Sequence, residues 1–269
     1  MFIMRLHCKQ TKPSEEQSEW AIVAATILAA VIVCTLCSAF SFRNVAFVGS
    51  LQRPAVAAAT YDTNLIYTNL VAWWKMDEAS GVRSNYANVG TYDLTEVGTV
   101  TTTNGAIYTT SCYMERTDNV YLTTNLSETN TVWSYAVWFV KGPDEADWEI
   151  FAKNRTGWYC GIFPADKIYF RTEAVTAAEV TDLIIPSPGT TNLAVFGYDG
   201  TNIFLSMNGA IPSEAANNDF TPAASFLIGS EGGLFSGHNI GPVGFWERRL
   251  NTNDINFLWN GGAGVKILP

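Results

Sequence analysis

The sequence predicts an all-β domain with one short C-terminal helix, preceded by a separate apolar helix. Three observations carry this reading. Short apolar and aromatic runs alternate with clusters rich in Thr, Asn, Gly and Ser, as when many short strands are joined by turns. Residues 226–264 read as strand, loop, strand, short helix and glycine-rich stop. Residues 21–40, AIVAATILAAVIVCTLCSAF, contain no charge and no proline over 20 positions.

The chain divides into a flank (1–20), the apolar helix (21–40), a linker (41–63) and the domain (64–269). At about 1.5 Å per residue the apolar run spans about 30 Å, the thickness of a bilayer core. Signal-peptide cores are shorter, about 7–15 residues. The preceding flank mixes Arg5, Lys9 and Lys12 with Glu15, Glu16 and Glu19. A transmembrane helix is therefore preferred. The alternative is a signal helix cleaved near Ser38-Ala39 or within 55–59, which would leave a secreted domain. Arg5, Lys9 and Lys12 outnumber Arg43 and Arg53 on the other side of the helix, which favours a cytoplasmic N-terminus and a domain outside the cytoplasm.

Within the domain, strands are expected in VWSYAVWFVK (132–141), EIFAKN (149–154), YCGIF (159–163), KIYFRT (167–172) and LAVFGY (193–198), and at 226–228 and 240–246. Asn251 can cap a helix, with Asp254 three residues on to return a bond to the cap. Ile255, Leu258 and Trp259 fall on one apolar face. Gly261 and Gly262 supply the left-handed stop.

Several of these stretches together resemble one family. LVAWWKMDEASG (70–81) is similar to an opening strand reading Leu-Val-x-x-Trp-x-x-Asp-Glu-x-Ser-Gly, and TYDLTEVG (91–98) to the next. VWSYAVWFVKGP (132–143) resembles the central strand, LAVFGYDGTNIFLSMNGA (193–210) the Tyr-Asp-Gly hairpin, and 226–264 the closing segment. In this order they resemble the laminin G-like domains of the concanavalin A-like lectin and glucanase superfamily. The resemblance implies a two-sheet antiparallel jelly-roll sandwich whose short helix covers an edge. It makes Trp73, Trp74, Trp246 and Trp259 core residues. Many members carry Asp-Glu where this chain has Gly241-Pro242, so no acidic role carries over there.

A net charge of −9 and the lack of any Lys/Arg run argue against a nucleic-acid partner. The chain's two histidines, His7 and His238, and its cysteine spacing offer no zinc site and no triad. His238, between Gly237 and Asn239, is expected in a surface loop. Cys112 and Cys160 either pair or sit as buried thiols.

The catalytic candidates are Glu145, Asp147 and Glu149, which resemble the alternating acidic motif of laminarinase-type glucanases and would serve as nucleophile, modulator and acid/base. They also fall in a connection opened by Gly142-Pro143-Asp144, so a non-enzymatic role is preferred. The binding candidates are aromatic. If the family-like Ala136, Trp138 and Val140 face the core, Tyr135 faces out. Similar parity turns Tyr159, Phe163, Lys167, Tyr169, Arg171, Phe196 and Tyr198 outward, with Trp148 and Trp158 flanking them. Such a face would contact a glycan, by stacking and hydrogen bonds, or a surface protein. No cofactor is called for. The resemblance allows calcium, with Asp77, Asp118 and Asp199 as scattered candidates. An envelope or viral-particle component without a small ligand is the third reading.

The apolar helix yields a direct expectation: the full-length chain partitions with membranes and resists carbonate extraction. A soluble species beginning near Phe40 or Thr60 would establish cleavage instead.

Overall fold

The computed structural model describes residues 61–267 except 106, 115–119, 129–131, 143–148, 155–156, 164–166, 173–177, 183–186, 218–224 and 230–237. The apolar segment 21–40 lies outside the described residues. Among those described, no helix is long and apolar enough to cross a membrane.

The strands follow in order as β1 (Leu70–Trp74), β2 (Thr95–Val97), β3 (Thr101–Asn104), β4 (Thr110–Tyr113), β5 (Tyr121–Thr124), β6 (Trp133–Val140), β7 (Glu149–Asn154) and β8 (Trp158–Phe163). Then come β9 (Lys167–Thr172), β10 (Glu179–Asp182), β11 (Thr191–Tyr198), β12 (Asn202–Met207), β13 (Ser213–Ala216), β14 (Phe226–Gly229), β15 (Asn239–Trp246) and helix α1 (Thr252–Trp259). They form two antiparallel sheets. The larger runs β13-β12-β11-β6-β15-β4-β3, with β1 also paired to β15, and the smaller runs β10-β9-β8-β7-β14-β5-β2.

The apolar side chains divide into two clusters. The inner one lies between the sheets and gathers Trp74, Trp133, Tyr135, Val137, Phe139, Trp158, Phe170, Phe196, Phe226 and Phe245, among others. Its rings pack at close range: Tyr135 stacks on Phe226 at 4.6 Å and Trp133 on Trp158 at 5.6 Å. The outer cluster lies on the other face of the larger sheet, where Ala136, Trp138, Leu193, Val195 and Phe204 meet Ile255 and Leu258 of α1. Trp73 stands edge-on to Trp138 at 5.7 Å and to Trp246 at 6.2 Å. Gly244 is required there, because a Cβ on it would come within 2.4 Å of the Trp246 ring and 2.8 Å of Trp73.

This arrangement corrects three expectations. Trp138 is buried, but beneath the helix rather than between the sheets. Tyr135, Phe196 and Tyr198 point into the inner cluster, not outward. The helix covers a face of the larger sheet, not an edge.

The helix itself forms as its sequence dictates. Asn251 accepts from the Asn253 and Asp254 amides, and Asp254 accepts from the Asn251 amide at 2.9 Å, completing a capping box. Asp254 also pairs with Arg248 at 2.6 Å and bonds the Tyr61 hydroxyl, tying the start of the domain to the helix. The left-handed stop begins one residue early, at Asn260 (φ 45°), and continues through Gly261.

A β-bulge interrupts β15. Ile240 pairs with Phe139 and Val243 with Val137, so three steps on β15 match two on β6. Gly241-Pro242 fills the extra position. Before it β15 pairs with β4, and after it with β1.

Cys112 on β4 and Cys160 on β8 are both buried and free. Burial pushes both thiols up, and for Cys112 it outweighs the Arg83 guanidinium, whose Nε lies 3.2 Å from Sγ. Neither thiol is a nucleophile at neutral pH.

One carboxyl is sunk in the inner cluster. Glu128 is 1% exposed, takes the Tyr135 hydroxyl on Oε1 at 2.8 Å and the Asn154 amide on Oε2 at 2.6 Å. Burial pushes its pKa up to about 7, against the partial opposition of those bonds.

Two outcomes follow from this packing. Trp138→Ala should lower the unfolding free energy by about 3–5 kcal/mol in urea titration. An unchanged midpoint would contradict its burial. Glu128 holds its proton more tightly when folded, so its contribution is fully present below the unfolded value of about 4.5 and is lost as pH rises through about 7. Stability should therefore fall by about 3 kcal/mol across that window, and Glu128→Gln should flatten the slope.

Candidate functional site

The sequence-predicted aromatic set separates into three groups. Tyr135, Trp158, Phe196 and Tyr198 belong to the inner cluster and form no contact surface. Their strands also lie in different sheets: β6 and β11 in the larger, β8 in the smaller. Trp148, Glu145 and Asp147 lie outside the described residues, as does Asp118. Glu149 opens β7, and only its backbone is described.

Tyr159, Tyr169 and Arg171 are brought together on the outer side of the smaller sheet. Cross-strand register aligns Leu227, Lys153, Tyr159, Arg171 and Glu179 in one row. Tyr169 stands edge-on to Tyr159 at 5.5 Å, the Arg171 guanidinium lies 6.0 Å from the Tyr159 ring, and Arg171 pairs with Glu179 at 3.9 Å. Tyr169 is nonetheless fully buried, and burial raises its hydroxyl pKa. A ring at 0% exposure has no face to offer a sugar, so the stacking role expected of Tyr169 is not available.

His238 is buried, contrary to the expected surface loop, and its Nδ1 accepts the Gly142 amide at 3.1 Å. Asp199 is held in the turn after β11. Burial alone would raise its pKa, but the Asn202 and Thr201 amides and Arg249 hold it below the usual carboxylate value. Among the described residues, no three His, Cys, Asp or Glu side chains converge as a metal site would need.

The built cleft lies elsewhere, on the rim where the 85–95 loop meets the end of β5. It has a volume of about 520 Å³ and is lined by Gly90, Tyr92, Asp93, Thr95, Thr123, Thr124 and Asn125. Asn85, fully buried, organises this loop. Its Oδ1 accepts the Trp73 and Ala87 amides at 2.9 and 3.0 Å, and its Nδ2 donates to the Val71 and Thr91 carbonyls at 3.1 and 2.8 Å. The Asn85 amide donates to Asp93 Oδ1 at 2.7 Å, and Trp74 Nε1 donates to the Tyr92 carbonyl at 2.9 Å.

These bonds fix Tyr92 at φ 59°, a left-handed conformation that costs a bulky residue about 1–2 kcal/mol. Tyr92 is also 38% exposed, so the strain holds an accessible ring at the cleft rather than filling a core. Thr95 and Asn125 are exposed beside it, and their side chains have no partner among the described residues. The same is true of the second carboxylate oxygen of Asp93. Sequence reading passed over Tyr92 because it sat inside a strand-like motif. The Asn85 network that positions it joins residues with no local pattern.

A second cleft, of about 480 Å³, lies at the sandwich end formed by Tyr113, Val140, Lys141, Gly142, Pro188, Gly189 and Asn239. It contains no described aromatic ring other than Tyr113.

No protein-family model matches the chain, and no curated protein sequence matches it. Solved structures do share its fold. The binding domain of botulinum neurotoxin DC in complex with SialylT is 12% identical, with a TM-score of 0.56 over 73% of this chain and 52% of that one. A binding domain of the same toxin in complex with rat synaptotagmin II is 11% identical, with a TM-score of 0.54 over 73% and 52%. Domain 4 of AbnA, a GH43 extracellular arabinanase from Geobacillus stearothermophilus, in complex with arabinotriose, is 14% identical, with a TM-score of 0.54 over 70% of this chain and 96% of that one. This chain spans about half the length of the toxin domains. At such identities the likeness shows the fold alone, a sandwich of two antiparallel sheets.

Proposed function

We propose that this chain is a non-enzymatic recognition module of laminin G-like jelly-roll type that binds glycan through the rim cleft. The apolar segment 21–40 holds it at a membrane with the sandwich outside the cytoplasm, or is removed to release it. The observation that carries the reading is Tyr92: an exposed ring, fixed in a strained backbone, bordered by hydroxyl, amide and carboxylate groups. Sugars present apolar C–H faces to a ring and hydroxyls to its polar neighbours, and small-ligand clefts combine the two in this way. The structures with this fold include one in complex with SialylT and one in complex with arabinotriose, which fits the reading without assigning the site.

The test is a glycan array probed with the full-length chain in detergent, beside Tyr92→Ala and Tyr159→Ala. Binding lost at least tenfold in Tyr92→Ala and kept in Tyr159→Ala supports the rim cleft. The reverse pattern moves the site to the outer side of the smaller sheet. Hydrolysis of a β-glucan abolished by Glu145→Gln would replace the module with an enzyme.

A further inference from the structure

From the rim cleft we infer that its ligand is an uncharged saccharide and that acidic glycans are excluded. This rests on the glycan reading just proposed and goes on to the charge of the sugar. Every described group lining the cleft is neutral except Asp93. The hydroxyls of Thr95 and Thr124 and the Asn125 amide both donate and accept, which suits sugar hydroxyls, while the Thr123 hydroxyl, donating to the Phe226 carbonyl at 3.2 Å, can still accept. A carboxylate such as that of Asp93 accepts from hydroxyls but repels another anion. Lys153, half-buried and with an interaction of its own, stands two strands from Thr123 in the same row. The other cation near in register is Arg83, which pairs through its backbone with Leu94. It is fully buried and committed to Glu96 at 3.5 Å, the Gly81 carbonyl at 2.5 Å and Cys112. It cannot turn out to neutralise a ligand.

A sialic, uronic or sulfated sugar would therefore place its charge beside Asp93 with no counter-charge among the described lining groups. The chain's net charge of −9 adds a longer-range, salt-screened repulsion. The likeness to a toxin domain in complex with SialylT does not carry over, because the fold is shared and the charge of the site is this chain's own.

The experiment uses lactose, cellotriose and arabinotriose, each beside the matched acid made by oxidising a primary hydroxyl to carboxylate. Affinities for the full-length chain in detergent are measured by calorimetry at low and high salt. The expected result is that at least one neutral sugar binds, that its acid binds at least tenfold more weakly, and that high salt narrows the gap. Asn125→Lys, at an exposed position, should shift the ratio toward the acid. An acid that binds as tightly as its neutral parent, or more tightly, overturns the inference while leaving a glycan module standing. Failure of every neutral and acidic sugar to bind overturns both.

Discussion

The larger sheet is buried on both faces, and most of the molecule's organisation follows from that constraint. In β6, β11 and β15 nearly every residue is buried, because alternate side chains serve different clusters. Tyr135, Val137 and Phe139 fill the space between the sheets, while Ala136 and Trp138 receive α1. A sheet with one wet face could dispense with the C-terminal helix. This one cannot, since without α1 the outer cluster around Trp73, Trp138 and Trp246 would face water. The capping box and the Asp254 contacts to Arg248 and Tyr61 therefore secure a layer of the core as well as a helix end.

The same constraint explains what was legible in the sequence. Elements set by local chemistry could be read directly. The Asn251 cap, the apolar stripe of α1 and the hairpin around Asp199 each depend on residues a few positions apart. Facing could not be read, because alternation signals an interior only when the other side is polar. In WSYAVWFV both sets are apolar, so alternation that places Trp138 inward places Tyr135 outward. Placing Leu193 and Val195 inward does the same to Phe196 and Tyr198. On β8 and β9 the alternate residues include Lys167 and Arg171, and there the facing of Cys160, Ile162, Ile168 and Phe170 was correct.

The rim cleft was illegible for a different reason. Its key residue is defined by a backbone angle. Tyrosine carries no sequence mark of φ 59°, as a glycine would. The bonds that impose this angle come from Trp74, on β1, and from Asn85, at the far end of the loop. His238 misled in the opposite way: its glycine and asparagine neighbours suggested exposure, yet Phe139 packs 5.9 Å from its ring.

The bulge at Gly241-Pro242 acts as a phase shift. Ile240 faces the inner cluster, and so do Val243 and Phe245, an odd step that strict alternation forbids. The extra residue puts Ile240 and Val243 on the same side, so that Phe245 then falls to the inner core and Trp246 to the outer. Any alignment that closes this strand without a gap would match inward positions to outward ones from Val243 onward. Comparison of this segment with a relative lacking the bulge is therefore meaningful only when it is counted from the helix end backward.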